Sequence, residues 1–383
     1  MNARPLSGVR VLDLSRVLAG PYASQILGDL GADVLKIELP ERGDDTRAWG
    51  PPFLDGESVY FLTANRNKRS RCLDFTNEGD RQELLRLVGE ADVLIENYKT
   101  GGLVKYGLDY ASLAPSFPRL VYCSISGFGH SGPYAEAAGY DALIQAMGGL
   151  MSITGPDAET PTKVGVAITD IATGLYATIA ILAALRERET SGMGQHCELA
   201  LFDTQVSFLA NVAMNFLATG KVPRALGNAH PTIVPYQSFA TKDKPLFLAV
   251  GNDTQFASFC AALGEPWAAD PRFRTNPARV EHRGVLVPQI ASRLRERTRA
   301  EWLQVFEGRG FPVGPINDLG DLREDPHVEA RGLFTVMDDG TTPCLRSPIR
   351  LSRTPIERYA RPPRLGEHDG ESFGGSRGGG GEP

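Results

Sequence analysis

The first 200 residues alternate between short apolar runs and helix-patterned segments, and no other feature constrains the fold as much. "VRVLDL" (9–14), "ADVLKIE" (32–38), "RCLDF" (71–75), "DVLIEN" (92–97) and "RLVYCSISGF" (119–128) read as strands. "PYASQILGDLG" (21–31) and the amphipathic "EGDRQELLRLVGEA" (78–91) read as helices between them. Strands rich in Val, Ile and Leu that alternate with helices predict a parallel sheet covered on both faces. Their C-terminal ends then share one edge, where open α/β sheets bind ligands. A long apolar helix within "GVAITDIATGLYATIAILAALRE" (165–187) follows, then a strand in "GQHCELALF" (194–202) and a helix from Asp203 to about Thr219.

The pattern changes at the loop-rich "GKVPRALGNAHPTIVPYQSF" (220–239). Two strands around "DKP" and helices near 254–263, 283–295 and 299–308 suggest a smaller unit. The expected division is a large domain over 1–223, a small domain over 224–310, and a return segment over 311–369 that completes the large one. The Gly-rich stretch 370–383 reads as a disordered tail. A hydrophobic content of 42% with 22% charged residues is that of an ordinary globular protein. The net charge of −6 gives no reason to expect nucleic acid or an anionic membrane surface as partner. The run Ile171 to Leu185 is short and rich in Ala, Gly and Thr for a membrane span. "MNARPLSGVRVLDL" leads into a strand pattern without a signal-peptide core. Five scattered cysteines, with no CxxC or Cys/His cluster, read as reduced packing residues in a cytoplasmic protein, with no metal expected.

A dinucleotide-binding enzyme of this class carries G-x-G-x-x-G after its first strand. Here that turn reads "LSRVLAGPYASQILGDLG", with Gly20 alone, so no NAD site is expected. The basic run "NRNKRSR" (65–71) reads first as a solvated turn and second as a clamp for phosphate groups. "SISGFGHSGPYAEAAGYD" (124–141) is a loop whose glycines let backbone approach a ligand closely. Its His130 reads as an exposed loop residue. Asp170, at the start of the long helix, has two readings. It can cap the helix N-terminus, or it can be a carboxylate kept ionised there and used as a nucleophile. The small Ala172, Thr173 and Gly174 that follow leave room for a ligand.

Taken together, the segments "LSGVRVLDLSRVLAGPYASQILGDLGADVLKIE", "ANRNKRSRCLDF", "DVLIENYKTGGLVKYGLDY", "SISGFGHSGPY", "GYDALIQAMGGLMSITG", "ITDIATGLYA" and "GPINDLGDLREDPHV" resemble the class III CoA-transferases, the formyl-CoA and carnitine CoA-transferase family. The likeness runs to about His368. "GNAHPTIVPYQSF" and "FEGRGFPVGPINDL" are most similar to the branch that moves CoA between dicarboxylic acids. The resemblance implies an interlocked homodimer. Each chain has a large Rossmann-like domain built from both termini and a small α+β domain between them. It implies Asp170 as the catalytic residue and an acyl-CoA, with succinyl-CoA expected, as the donor. CoA is implied to lie along Val17, Leu18, Ala19, Leu39, Leu73, Asp74, Phe75, Thr76, Asn97, Tyr98, Lys99 and Lys105, continuing over Ala138, Gly139, Tyr140 and Asp141. Gly227, Asn228, Ala229 and His230 match the family's glycine-rich lid, whose N–H groups are expected to steady the oxyanion.

The departures narrow this reading. Leu18 stands where formyl-CoA transferases have glutamine, and "LGNAHP" stands where they have a run of glycines. Ala138 replaces a basic residue. These changes disfavour formyl-CoA and oxalate as the substrate pair. The rival within the same fold is an α-methylacyl-CoA racemase, which uses a histidine from a "GHD" stretch. Tyr140 occupies that place here, and a phenol is a poor base at neutral pH. A non-catalytic acyl-CoA-binding protein is the rival from another class.

Overall fold

The computed structural model describes residues 4–374. Its centre is a six-stranded, wholly parallel sheet. The strands are β1 (Arg10–Asp13), β2 (Asp33–Glu38), β3 (Lys68–Cys72), β4 (Val93–Glu96), β5 (Val121–Ser126) and β6 (His196–Ala200). They lie in the order β3-β2-β1-β4-β5-β6, so the winding reverses between β1 and β4. Side chains alternate across the sheet. Val11, Val93, Ile95, Val121 and Cys123 enter one core, with Ala23 and Leu27 of helix α1 (Ala19–Asp29). Leu12, Leu35, Leu94 and Tyr122 enter the other, with Leu84, Leu87 and Val88 of helix α2 (Glu78–Glu90). Two buried faces explain why these strands are apolar without alternation in sequence.

The third strand lies three residues earlier than the apolar pattern indicates. Lys68 pairs with Val34, so much of the basic run is itself the strand. The run is neither a solvated turn nor a phosphate clamp, because its cations have carboxylate partners within the fold. Arg66 meets Asp29 at 2.6 Å, Lys68 meets Asp13 at 3.1 Å, Arg69 meets Asp33 at 2.8 Å and Arg71 meets Glu83 at 2.8 Å.

Helix α3 (Asp141–Met147) precedes the long helix α4 (Ile168–Ser191), which Gly192 ends at φ +77°. By length and composition α4 is able to cross a membrane. Within the protein its Ala172, Thr173, Ala177, Ile181 and Ala184 are buried, while Leu175, Tyr176 and Ile179 are exposed. The segment after β6 forms two helices, α5 (Leu201–Ser207) and α6 (Ala210–Thr219), in place of one. Ala210 at φ +40° breaks the helical ladder between them.

The chain divides into two compact units. The first comprises residues up to 150, 163–220 and those from 330 onward; the second comprises 151–162 and 221–329. In the second, strands β7 (Tyr236–Phe239), β8 (Leu246–Ala249) and β9 (Val313–Pro315) form an antiparallel sheet in the order β9-β8-β7. Helices α7 (Asp253–Leu263), α8 (Arg283–Leu294) and α9 (Arg299–Phe306) pack with it around Phe256, Phe259, Trp302 and Phe306. The return to the first unit comes at 330, later than the expected 311, because Val313–Pro315 pairs with β8. Met337, Ile356 and Tyr359 then join the first unit's core. The stretch expected to be disordered from 370 is ordered as far as described. Phe373 is buried, and the Gly374 N–H donates to Asp33 at 2.8 Å. Residues 375–383 of that expected tail lie outside the described residues.

Candidate active site

The reversal between β1 and β4 opens a crevice at the C-terminal edge of the sheet, the place where such sheets bind ligands. A cavity of about 220 Å³ lies there. The turn after β1 supplies Val17, Leu18 and Ala19, and the turn after β4 supplies Asn97, Tyr98 and Lys99. Ala138, Gly139 and Tyr140 line it from the Gly-rich loop, and Asp170 lines it from α4. Thus ten of the anticipated site residues share one cavity. The glycines of the loop have a definite role. A Cβ on Gly127 would stand 2.7 Å from the Gly139 Cα, so only a glycine pair lets these backbones touch.

Asp170 is the third residue of α4, not its cap. The capping is done from α3. Asp141 accepts the Thr169 N–H through Oδ1 at 2.8 Å and the Gln145 side-chain amide through Oδ2 at 2.7 Å. Asp170 itself makes no side-chain hydrogen bond among the described residues. Burial, and then the charge of Asp141, push its carboxyl up to about 7. The sequence reading expects a carboxylate kept ionised by the helix N-terminus; removal from water and a like charge act against that here.

The N-terminus of α1 faces the same cavity through Leu18 and Ala19. No described side chain caps α1. The N–H groups of Leu18, Ala19 and Gly20 donate to no other described residue. The turn that presents them is strained: Val17 has φ +71°. A β-branched residue there costs of order 1–3 kcal/mol. Helices α1 and α4 meet closely, since a Cβ on Gly174 would stand 2.7 Å from the Ala19 carbonyl oxygen.

The other anticipated residues lie outside this cavity. Leu39 is exposed after β2. Leu73 and Phe75 are buried, and Phe75 packs edge-on against Tyr98 and Tyr106 at 5.7 and 5.2 Å. Asp74 accepts both the N–H and the hydroxyl of Thr76. Lys105 Nζ lies 4.7 Å from the Tyr106 ring centre. Gly227, Asn228, Ala229 and His230 belong to the second unit. There the N–H groups of Gly227, Ala229 and His230 donate to Gly155, Leu226 and Tyr236 carbonyls. These three are already satisfied, so they are not the free oxyanion donors anticipated.

Tyr60 is a site neighbour that sequence reasoning passed over. It lies on a short helix, Val59–Ala64, in a stretch with no strong periodicity. Burial, and then the carboxylates of Asp170, Asp141 and Asp44, raise its hydroxyl pKa. His130 lines a second cavity of about 260 Å³, with Glu96, Tyr110, Tyr122 and His196. The described residues contain no cluster of three or more His, Cys, Asp or Glu arranged to hold a metal ion.

The fold is thus an α/β sheet whose switch-point crevice holds a carboxylate with no hydrogen-bond partner among the described residues, beside backbone N–H groups that donate to none of them. The chain belongs to CoA-transferase family III, whose profile matches residues 6–369. It is 50% identical to the succinate–glutarate CoA-transferase of Agrobacterium fabrum, over 96% of this chain and 94% of that one. It is 45% identical to the succinyl-CoA:glutarate CoA-transferase of Mus musculus, over 96% of this chain and 85% of the relative. Among solved structures, a CAIB/BAIF family protein from Brucella suis matches with a TM-score of 0.88 at 50% identity, over 96% of this chain and 98% of the other. The protein is a CoA-transferase.

Proposed function

We propose that this enzyme moves CoA from succinyl-CoA to a second dicarboxylic acid, glutarate being the first acceptor to test, with Asp170 as the covalent carrier. The observation that carries this reading is the unpartnered Asp170 carboxylate in the crevice cavity. The names of the relatives support the substrate pair.

Asp170, ionised, attacks the thioester carbonyl. The C–S bond breaks, leaving a mixed aspartyl–succinyl anhydride and CoA thiolate. The thiolate attacks the aspartyl carbonyl and releases succinate, leaving aspartyl-CoA thioester. The acceptor carboxylate attacks this thioester to form a second anhydride and thiolate. The thiolate then attacks the acceptor's carbonyl, giving the new acyl-CoA and free Asp170. Each addition places negative charge on a carbonyl oxygen. The Leu18 and Ala19 N–H groups are the donors we assign to it; loss of one such donor typically lowers kcat by about 10²–10³-fold. CoA runs from Leu39 and Leu73–Thr76 past Asn97–Lys99 and Lys105 to the cavity.

We also infer a homodimer, with the two chains interlocked. The exposed Leu175, Tyr176 and Ile179 on α4, and Met214, Phe216 and Leu217 on α6, supply an apolar surface that a second copy would cover. Helix α6 buries none of its residues within the chain. The free thiols, with no disulfide among the described residues, suit a cytoplasmic enzyme.

The test is an exchange assay. With succinyl-CoA and glutarate the enzyme forms glutaryl-CoA, and hydroxylamine trapping followed by peptide mass analysis finds a hydroxamate at Asp170. A hydroxamate at another residue, or wild-type exchange by Asp170→Ala, rejects the mechanism. A panel of other dicarboxylates identifies the preferred acceptor.

A further inference from the structure

The proposed reaction leaves the strain at Val17 without a purpose. A residue in so unfavourable a conformation persists only where its surroundings over-determine it, and here three side chains do so. Both carboxylate oxygens of Asp44 accept the Val17 N–H, at 3.2 and 3.3 Å. Lys36, on β2, pairs with Asp44 at 3.0 Å and donates to the Ser15 carbonyl at 2.6 Å. Asn97 accepts the Arg16 N–H at 2.8 Å and donates to the Arg16 carbonyl at 2.6 Å. The Lys36 and Asp44 side chains are fully buried.

A desolvated ion pair is weak evidence for stability, since apolar residues of the same volume often serve as well. Its position is more informative. Burial alone would raise the Asp44 carboxyl, but Lys36 and the Thr46 N–H outweigh this and hold it below its ordinary value. A charged acceptor is thereby kept aimed at one backbone N–H, and charge-assisted hydrogen bonds are the strong ones.

We propose that Asp44 is a positioning residue for CoA transfer, locking Val17 in the left-handed conformation that presents the Leu18 and Ala19 N–H groups to the Asp170 cavity. This rests on the reading that Asp170 carries the reaction. A Val17 relaxed to negative φ rotates the peptide that leads into Leu18 and takes its N–H out of line with the reacting carbonyl.

A double-mutant cycle tests it. Glycine enters the left-handed region without a Cβ penalty and needs no clamp. Asp44→Asn is expected to lower kcat about tenfold, with the KM for succinyl-CoA changed by less than about twofold. In a Val17→Gly background the same substitution is expected to lower kcat by less than about twofold. Equal losses in both backgrounds overturn the proposal, because a merely structural Asp44 gives that result. If Asp44→Asn does not fold, Asp44→Glu, which keeps the charge and displaces the oxygens, is put through the same cycle. A folded wild-type enzyme that exchanges no CoA fails the reaction reading instead. The crystal structure of the Asp44 variant then decides the clamp alone: Val17 at negative φ supports it, and Val17 unchanged at positive φ overturns it.

Discussion

Asp141 accepts the backbone N–H of Thr169 at 2.8 Å, the residue immediately before Asp170. One carboxylate thus caps the helix, and the next is left to the cavity. The same arrangement sets the acidity of Asp170, because the Asp141 charge adds to burial in raising it.

Replacements of Asp141 separate these two effects. Asp141→Asn keeps an acceptor oxygen for Thr169 and removes the charge. The acid limb of the pH–activity profile should move to lower pH with little change in melting temperature. Asp141→Ala also removes the cap, which costs about 0.5–2 kcal/mol. It should show the same movement with a lower melting temperature. A profile that does not move in either variant separates Asp141 from the acidity of Asp170.

The proposed role of Asp170 as nucleophile requires its carboxylate to be ionised. Turnover per encounter, kcat/KM, should rise with pH up to about 7 and level off above it. Stability runs the other way. An aspartate raised from 3.8 to about 7 on folding is protonated in the folded state and ionised in the unfolded state between those values. Its contribution to stability therefore falls as pH rises through that window. Asp170→Asn should be inactive, and its gain in melting temperature over wild type should be larger at pH ~8 than at pH ~5.

Gly174→Ala tests the crossing of α1 and α4. The added methyl would stand 2.7 Å from the Ala19 carbonyl oxygen, which is backbone and cannot swing aside. The helices must separate, carrying Ala19 away from Asp170. We expect a loss of about 1–3 kcal/mol in stability from overpacking and a fall in kcat larger than the change in KM. Urea unfolding and steady-state kinetics measure the two. Unchanged values in both would show that the helix pair is free to adjust.

The internal charges of β3 should behave unlike surface ones. Lys68→Ala leaves Asp13 buried with one of its cations removed and should cost about 3–5 kcal/mol. Arg86→Ala breaks pairs with Glu83 and Glu90 on the exposed side of α2 and should change stability by no more than about 1 kcal/mol. Denaturant midpoints of the two variants provide the comparison.

Much of the parallel sheet was legible because its strands announce themselves locally. Val11 and Leu12 are apolar neighbours facing opposite cores, and that run of apolar residues is visible without coordinates. The basic run at 65–71 is not legible, for the opposite reason. Its partners Asp29 and Asp13 lie 37 and 55 residues from Arg66 and Lys68, and no local pattern reports them. The start of the third strand is hidden with it, since paired charges rather than apolar residues form most of that strand. Tyr60 carries no local signal because its relation to the site is electrostatic and links residues far apart in sequence.

The sequence by itself determined the alternating architecture, the membership of the family and the candidacy of Asp170. These depend on residue type, spacing and order, which the chain carries directly. The tertiary structure decided what each group does for its neighbour. It set the capping of α4 by Asp141, made Asp44 the acceptor for a strained Val17, and bonded the N–H groups of Gly227, Ala229 and His230 within their own unit. The physical reason is that these are properties of pairs. A hydrogen bond or a shifted pKa exists only once folding has brought distant residues together and removed the water that would otherwise satisfy them.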